Sequence, residues 1–217
     1  MKEVYIIGAR IDGHAGVVVD IINQLNEYKI VGFIDSTKSL QGTKVIDIPV
    51  IGSTENLEKL GLNNANFHIA IGDNMAREIL YDKIKSIDGH LITLIHPSAI
   101  ISPKVKIDDG TFVGARAVIN NGTTVGKVCI VNTGAILEHD NIVGDAVHVA
   151  PGTVTAGRVV IHNLAFIGVG STILPDIVVG KASLVGAGST VTKDVVTSET
   201  VVGYAARNYK KKNIYIE

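Results

Sequence analysis

The chain has 217 residues, 46% of them hydrophobic and 23 of them glycine, enough for one large or two small domains with a sizeable core. Its 20 basic and 21 acidic side chains leave a net charge of −1, which gives no electrostatic case for a nucleic acid or an anionic membrane as partner. Cys129 is the single cysteine, so no internal disulfide can form, and no stretch of sequence is apolar for long enough to span a bilayer. The opening Met1-Lys2-Glu3 leads straight into a strand-like run without a signal-peptide core. These features together predict a cytoplasmic protein without membrane insertion.

Strand and helix signals alternate through the first 95 residues or so. Residues 4–7 form a short apolar run that ends at Gly8, and residues 14–25 read as a helix. Residues 30–34 predict a second strand, ending at Asp35, and residues 67–71 a third, ending at Gly72. Ala76, Ile79, Leu80, Lys83, Ile84 and Ile87 follow at helical spacing, mostly apolar on one face, and residues 91–95 predict a fourth strand. This alternation specifies a small Rossmann-like parallel sheet covered by helices. Ligands of such sheets sit at the carboxyl ends of the strands, where Gly8, Asp35 and Gly72-Asp73-Asn74 all lie. His96-Pro97 reads as the hinge between a first domain, residues 1–96, and a second, residues 97–217.

From Ile101 an aliphatic residue recurs at every sixth position, through Ile107, Val113 and Ile119 to Val191, with Thr155 the exception. Neither a helix nor an alternating strand has period six, but a parallel coil with three short faces per turn does. With the aliphatic residue as position one, position five is usually small, as at Thr111, Ala117, Ala135 and Ser183. Large and small residues pointing inward fill a triangular prism whose coils stack roughly 4.8 Å apart. Cys129 occupies one of these inward positions and reads as core filler. Glycine recurs at position two (Gly114, Gly168, Gly186) and position four (Gly110, Gly122, Gly170), where corners demand backbone angles that side chains penalise. Position six points outward yet is often apolar, as at Phe112, Ile130, Ile142, Val160 and Phe166. Outward apolar columns need cover, and self-association into a homotrimer supplies it; cover by the first domain is the alternative.

Residues that break the pattern are the candidates for chemistry. Coils stack in steps of 18 residues, so one outward column reads Phe112, Ile130, His148, Phe166, Leu184. An imidazole in an apolar column costs free energy unless it is hydrogen-bonded, and it is expected here on a face buried between subunits. His139 sits at a corner, position three, between Glu138 and Asp140. A carboxylate beside an imidazole orients it and makes it a better proton acceptor, which suits a general base. Gly157 lies over His139 one coil later, and its bare N–H could face a developing oxyanion. An exposed turn histidine is the plainer alternative for His139. His14 follows Gly13 at a predicted helix start, where backbone N–H groups favour anions, so it is read equally as a ligand contact or as part of helix initiation. His68 and His90 read as structural, His96 as part of the hinge and His162 as solvated.

These residues and repeats resemble a known family: the hexapeptide-repeat acyltransferases that acetylate nucleotide-linked amino sugars. It includes the bacillosamine and perosamine N-acetyltransferases and a related sialic acid O-acetyltransferase-like group. The resemblance extends over nearly the whole chain. It implies an α/β parallel-sheet domain followed by an all-β left-handed parallel β-helix with a C-terminal tail. The handedness comes from the resemblance, because right-handed crossovers are the general default. It further implies acetyl transfer from acetyl-CoA to the amine of a nucleotide-linked amino sugar, for bacterial surface-glycan biosynthesis, with no metal. Carried across, the resemblance implies that His139 is the base, tuned by Asp140, with Gly157 at the oxyanion. His148, Val169 in Gly168-Val169-Gly170 and Ala187 in Gly186-Ala187-Gly188 would contact acetyl-CoA. Gly13, His14, Asp35 and Gly72 would hold the nucleotide sugar in the first domain. The first loop, from Gly8 through Arg10 to His14, is about two residues longer than the family pattern, which makes Arg10 a candidate substitute phosphate partner. Near the C-terminus Gly203-Tyr204-Ala205-Ala206-Arg207 lacks the family's proline, and Lys210-Lys211-Lys212 reads as a solvated tail or a partner for coenzyme A phosphates.

Rival classes explain less. A sugar hydroxyl as acceptor, as in sialic acid O-acetylation, is the nearest. A zinc enzyme needs three or four converging ligands, whereas His139 and His148 fall on different faces and Cys129 points inward. A nicotinamide oxidoreductase needs G-x-G-x-x-G, but Gly8 is followed by Ala9 and Arg10. A non-catalytic trimeric scaffold leaves the imidazole among the apolar residues without a purpose.

Overall fold

The structure, a computed structural model, describes residues 1–10, 13–204 and 207–208. Ile11, Asp12, Ala205, Ala206 and the Lys210-Lys211-Lys212 run lie outside the described residues. The first sheet is built from β1 (Lys2–Ile7), β2 (Tyr28–Ile34), β3 (Lys44–Val45), β4 (Ile48–Gly52), β5 (Asn66–Ile69) and β6 (His90–Leu91). Their order is β3-β4-β2-β1-β5-β6, and all neighbours run parallel except β3 and β4. Helix α1 (His14–Leu25) covers one side through Ala15, Val18, Val19, Ile21 and Ile22, and occupies the span its apolar spacing predicts. Helix α2 (Asn74–Ser86), capped by the Asp73 carboxylate on the Ala76 amide, covers the other.

Three details depart from the sequence reading. The β3–β4 hairpin turns through Ile46 and Asp47, both at positive φ, so no glycine marks the turn. The buried stripe of α2 is Arg77, Leu80 and Ile84, while Ile79 is half-exposed. The run 91–95 is not one strand: Leu91 ends β6, and Leu94–Ile95 pairs with Phe112–Val113 in the prism. Leu91, Ile92 and Leu94 are all buried as the chain passes from one core into the next.

Beyond residue 94 two-residue strands wind into a prism with three parallel faces, a left-handed β-helix. The register holds at 18 residues per coil, as Phe112, Ile130, His148, Phe166 and Leu184 stack in line. Position-one and position-five residues fill the interior, and Thr155 takes its inward place with the rest. Every position-four residue from Gly110 to Gly188 has a positive φ, including Val128, Asp140, Ala146, Arg158 and Leu164. Val128, Ala146 and Leu164 lie along one corner and are buried in the same cluster as Leu80 and Ile84 of α2. Their burial under the helix offsets backbone strain that glycine relieves elsewhere.

The first sheet packs against the face bearing Phe112. Phe112 and Ile130, each 1% exposed, share a core with Val4, Ala15 and Val18. This corrects the expectation that the column is buried between subunits, because at these levels the cover comes from the same chain. Farther along, Leu184 is 40% exposed, and on the other faces Ile100 and Ile142 stand out at 65% and 54%. Among the described residues, no helix is long and apolar enough to cross a membrane.

Candidate functional site

A cleft of about 500 Å³ opens at the carboxyl ends of β1, β2 and β5. Gly13, His14, Asp35 and Gly72 line it together with Gly8, Arg10, Ser36, Thr37 and Thr54. Gly8 adopts a φ of +98°, and a Cβ there would lie 2.8 Å from the Ile71 side chain, so only glycine lets the loops cross. The Asp35 carboxylate accepts hydrogen bonds from the Ala9 and Thr37 amides, each 2.7 Å long. Burial opposes its charge, but these amides prevail and hold the carboxyl below its ordinary range, so it is ionised at neutral pH. The sequence reading missed Ser36, Thr37 and Thr54; their positions just past strand ends were the available signal.

Three imidazoles, His68 buried and His14 and His148 half-buried, stand between cleft and prism. His14 sets its ring edge against Phe112, with centroids 4.4 Å apart. Burial, aided by His68, His148 and Arg77, pushes its pKa down to about 3. His68 on β5 is fully buried and donates from Nδ1 to the Ile92 carbonyl at 3.0 Å. His148 packs edge-on against Phe166 and accepts at Nε2 from the Asn132 amide at 3.3 Å. Burial brings His68 and His148 to about 4, so all three rings are neutral near pH 7. Among the described residues, His14 Nε2, His68 Nε2 and His148 Nδ1 are buried without a hydrogen-bond partner.

His139 lies on a different part of the prism. The left-handed φ of 59° at Asp140 turns its carboxylate back onto the preceding ring, where Oδ2 accepts from His139 Nδ1 at 2.9 Å. The bond fixes the tautomer and leaves Nε2 as the proton acceptor. The ring is half-exposed and lies on Gly157, where a Cβ would come within 2.5 Å of both Cε1 and Nε2. Asn141, which the sequence reading passed over, is fully buried inside the prism. Its Nδ2 donates to the carbonyls of Glu138 and Ala156 and so ties the His139 corner to the Gly157 corner. An amide among the threonines, alanines and serines of position five was the signal for it. Cys129 is buried, its thiol pushed up to about 12 by desolvation, in keeping with a filler of the core.

Val169 and Ala187 occupy successive rungs of one exposed corner, held by the Gly188 amide on the Val169 carbonyl at 2.8 Å. A Cβ on Gly168 would lie 2.6 Å from the Ala187 nitrogen, so glycine permits the close stacking there. That corner follows the face bearing His148, whereas the His139 corner follows the next face, bearing Ile136 and Val154. Within one chain a whole prism face therefore separates His139 from His148, Val169 and Ala187. Among the described residues, no three His, Cys, Asp or Glu side chains converge as metal ligands.

Known proteins share this layout. Residues 3–84 match the family model described as the PglD N-terminal domain. The UDP-N-acetylbacillosamine N-acetyltransferase of Bacillus subtilis (strain 168) is 35% identical over 116 residues, or 53% of this chain. That match spans 52%, about half, of the curated relative. A point variant of perosamine N-acetyltransferase from Caulobacter crescentus, solved with CoA and GDP-perosamine, superposes with a TM-score of 0.88 at 33% identity. It covers 97% of this chain and 98% of its own. The chain belongs to the nucleotide-aminosugar N-acetyltransferase family. A second solved relative, the acetyltransferase domain of PglB from Neisseria gonorrhoeae FA1090 with acetyl coenzyme A, has a TM-score of 0.88 and 32% identity, covering 96% of this chain and 99% of its own. In this member of the family, Arg10 of the first loop lines the cleft.

Proposed function

We propose that this protein transfers the acetyl group of acetyl-CoA to the amine of a nucleotide-linked amino sugar, with His139 as general base, and that it works as a homotrimer. The observation that carries the chemistry is the His139–Asp140 pair, which leaves Nε2 of a half-exposed ring as the proton acceptor. The acceptor nitrogen attacks the thioester carbonyl carbon while His139 Nε2 takes a proton from the N–H. The Gly157 N–H is offered to the oxyanion of the tetrahedral intermediate. The C–S bond then breaks, and the proton passes from His139 to sulfur, so that coenzyme A leaves as a thiol beside the new amide. Positioned acid–base help of this kind contributes roughly 10²–10⁴-fold.

Residues 1–96 hold the sugar nucleotide in this scheme, and residues 97–217 carry out the transfer. Asp35, Gly72 and the α1 start at Gly13 and His14 take the nucleotide, the helix N-terminus facing its diphosphate. Val169, Leu184 and Ala187 form an exposed, uncharged strip near His148 that suits an uncharged pantetheine arm. Because a prism face separates this strip from His139, the trimer supplies what one chain lacks: one subunit's base beside a thioester held by its neighbour. The same scheme puts the reaction in the cytoplasm, where acetyl-CoA is available, and assigns it to bacterial surface-glycan biosynthesis.

Thiol release measured with acetyl-CoA and a panel of UDP-, GDP- and dTDP-linked amino sugars tests the proposal. His139→Ala is expected to lower kcat at least about a hundredfold while native mass and circular dichroism stay unchanged. Turnover retained in that variant removes His139 from the mechanism, and a monomer in native mass spectrometry removes the shared site.

A further inference from the structure

Helix α2 carries a cation into the interior. Arg77 is 1% exposed, and all but one of its hydrogen-bond partners are backbone carbonyls. Nε donates to Val128 O at 2.8 Å and Nη2 to Ala146 O at 2.9 Å, two rungs of the corner buried beneath the helix. Asn74 extends the ladder, because its Nδ2 donates to Leu164 O at 2.9 Å while its Oδ1 accepts from Arg77 Nη2 at 2.8 Å. Three successive coils are thus gripped at one corner by two side chains of one helix turn. The other contacts point to the reaction. Arg77 Nη1 donates to Gly72 O at 2.8 Å, on the wall of the cleft. Nη2 also reaches Val147 O at 3.3 Å, the carbonyl just before His148.

Burying a guanidinium this deeply carries a large desolvation cost, and a well-packed Leu or Met often stabilises a fold as well or better. What an apolar side chain cannot do is fix the register of two bodies to within a hydrogen bond. We propose that Arg77 is a positioning residue for the transfer reaction, locking the Gly72 wall of the cleft to the prism segment that carries His148. The inference rests on the acetyl-transfer function proposed above. The reacting amine arrives on the sheet side and the thioester on the prism side, so an error of about 1 Å between them costs on the order of a hundredfold in rate.

The test uses Arg77→Met, Arg77→Lys and, should neither fold, Asn74→Ala, each in the full-length protein. Affinities for GDP or UDP alone and for coenzyme A alone are measured by calorimetry, and kcat by thiol release with the amino-sugar panel. The expected result is separate affinities within about threefold of wild type and a kcat at least about tenfold lower per folded chain, with Arg77→Lys failing to restore it because one ammonium cannot span the ladder. Unchanged kcat per folded chain overturns the proposal. So does a parallel loss of both affinities and of the folded fraction, which marks a purely structural residue. A wild-type protein that turns over no member of the panel sinks the acetyl-transfer function itself, and the positioning role with it.

Discussion

Acid should unfold this protein through its buried histidines, and His68 allows the effect to be worked out. Its folded pKa is about 4, pushed below the ordinary 6.5 by burial. The unfolded chain therefore binds a proton first as pH falls. The neutral ring contributes its full stability above about pH 6.5, and that contribution is lost progressively until the pH drops below the folded pKa. From these two values the loss is about 2 kcal/mol at pH 5 and about 3 kcal/mol at pH 4. His14 and His148 shift in the same direction by the same cause and add to it. A comparison of wild type with His68→Gln isolates one term, since the amide can still donate to the Ile92 carbonyl but does not titrate. Urea unfolding, followed by circular dichroism at about pH 7 and about pH 5, is expected to show a pH-dependent loss smaller by about 2 kcal/mol in the variant. Identical losses in the two proteins would refute the premise that His68 stays neutral in the fold.

Two substitutions separate chemistry from packing. Gly157→Ala would place a methyl 2.5 Å from the His139 ring, which must yield by about 1 Å. Because that ring is half-exposed, stability should hardly change, while kcat falls on the order of a hundredfold in the thiol-release assay; unaltered kcat means that the ring position does not matter. Cys129→Ala should retain kcat within about twofold and lose about 1 kcal/mol of stability in denaturant titration, since its thiol is buried core. A large loss of turnover there would point to a nucleophile after all.

The chain shows how local and distant information divide. Period six made the prism legible, because each hexad repeats the same inward and corner requirements whatever its surroundings. The His139–Asp140 pair was legible for a similar reason: the two residues are adjacent, and a left-handed corner brings their side chains together. Gly8, Asp35 and Gly72 were found because strand ends are where parallel sheets open. Other features depended on which surface docks on which. Helical spacing offered Ile79 for the buried stripe, but the prism corner lies on the Arg77 side, and carbonyls there could satisfy a guanidinium. The apolar column at Phe112 and Ile130 advertised a need for cover without naming what supplies it, and the answer was the sheet and α1 of the same chain. Asn141 sits in an inward position of the repeat, but the joining of two corners a full coil apart by its amide depends on how the coils stack. Periodicity is set by each residue's immediate neighbours and can be read along the chain. Burial and polar partnership are set between segments tens of residues apart, and only their packing against one another decides them.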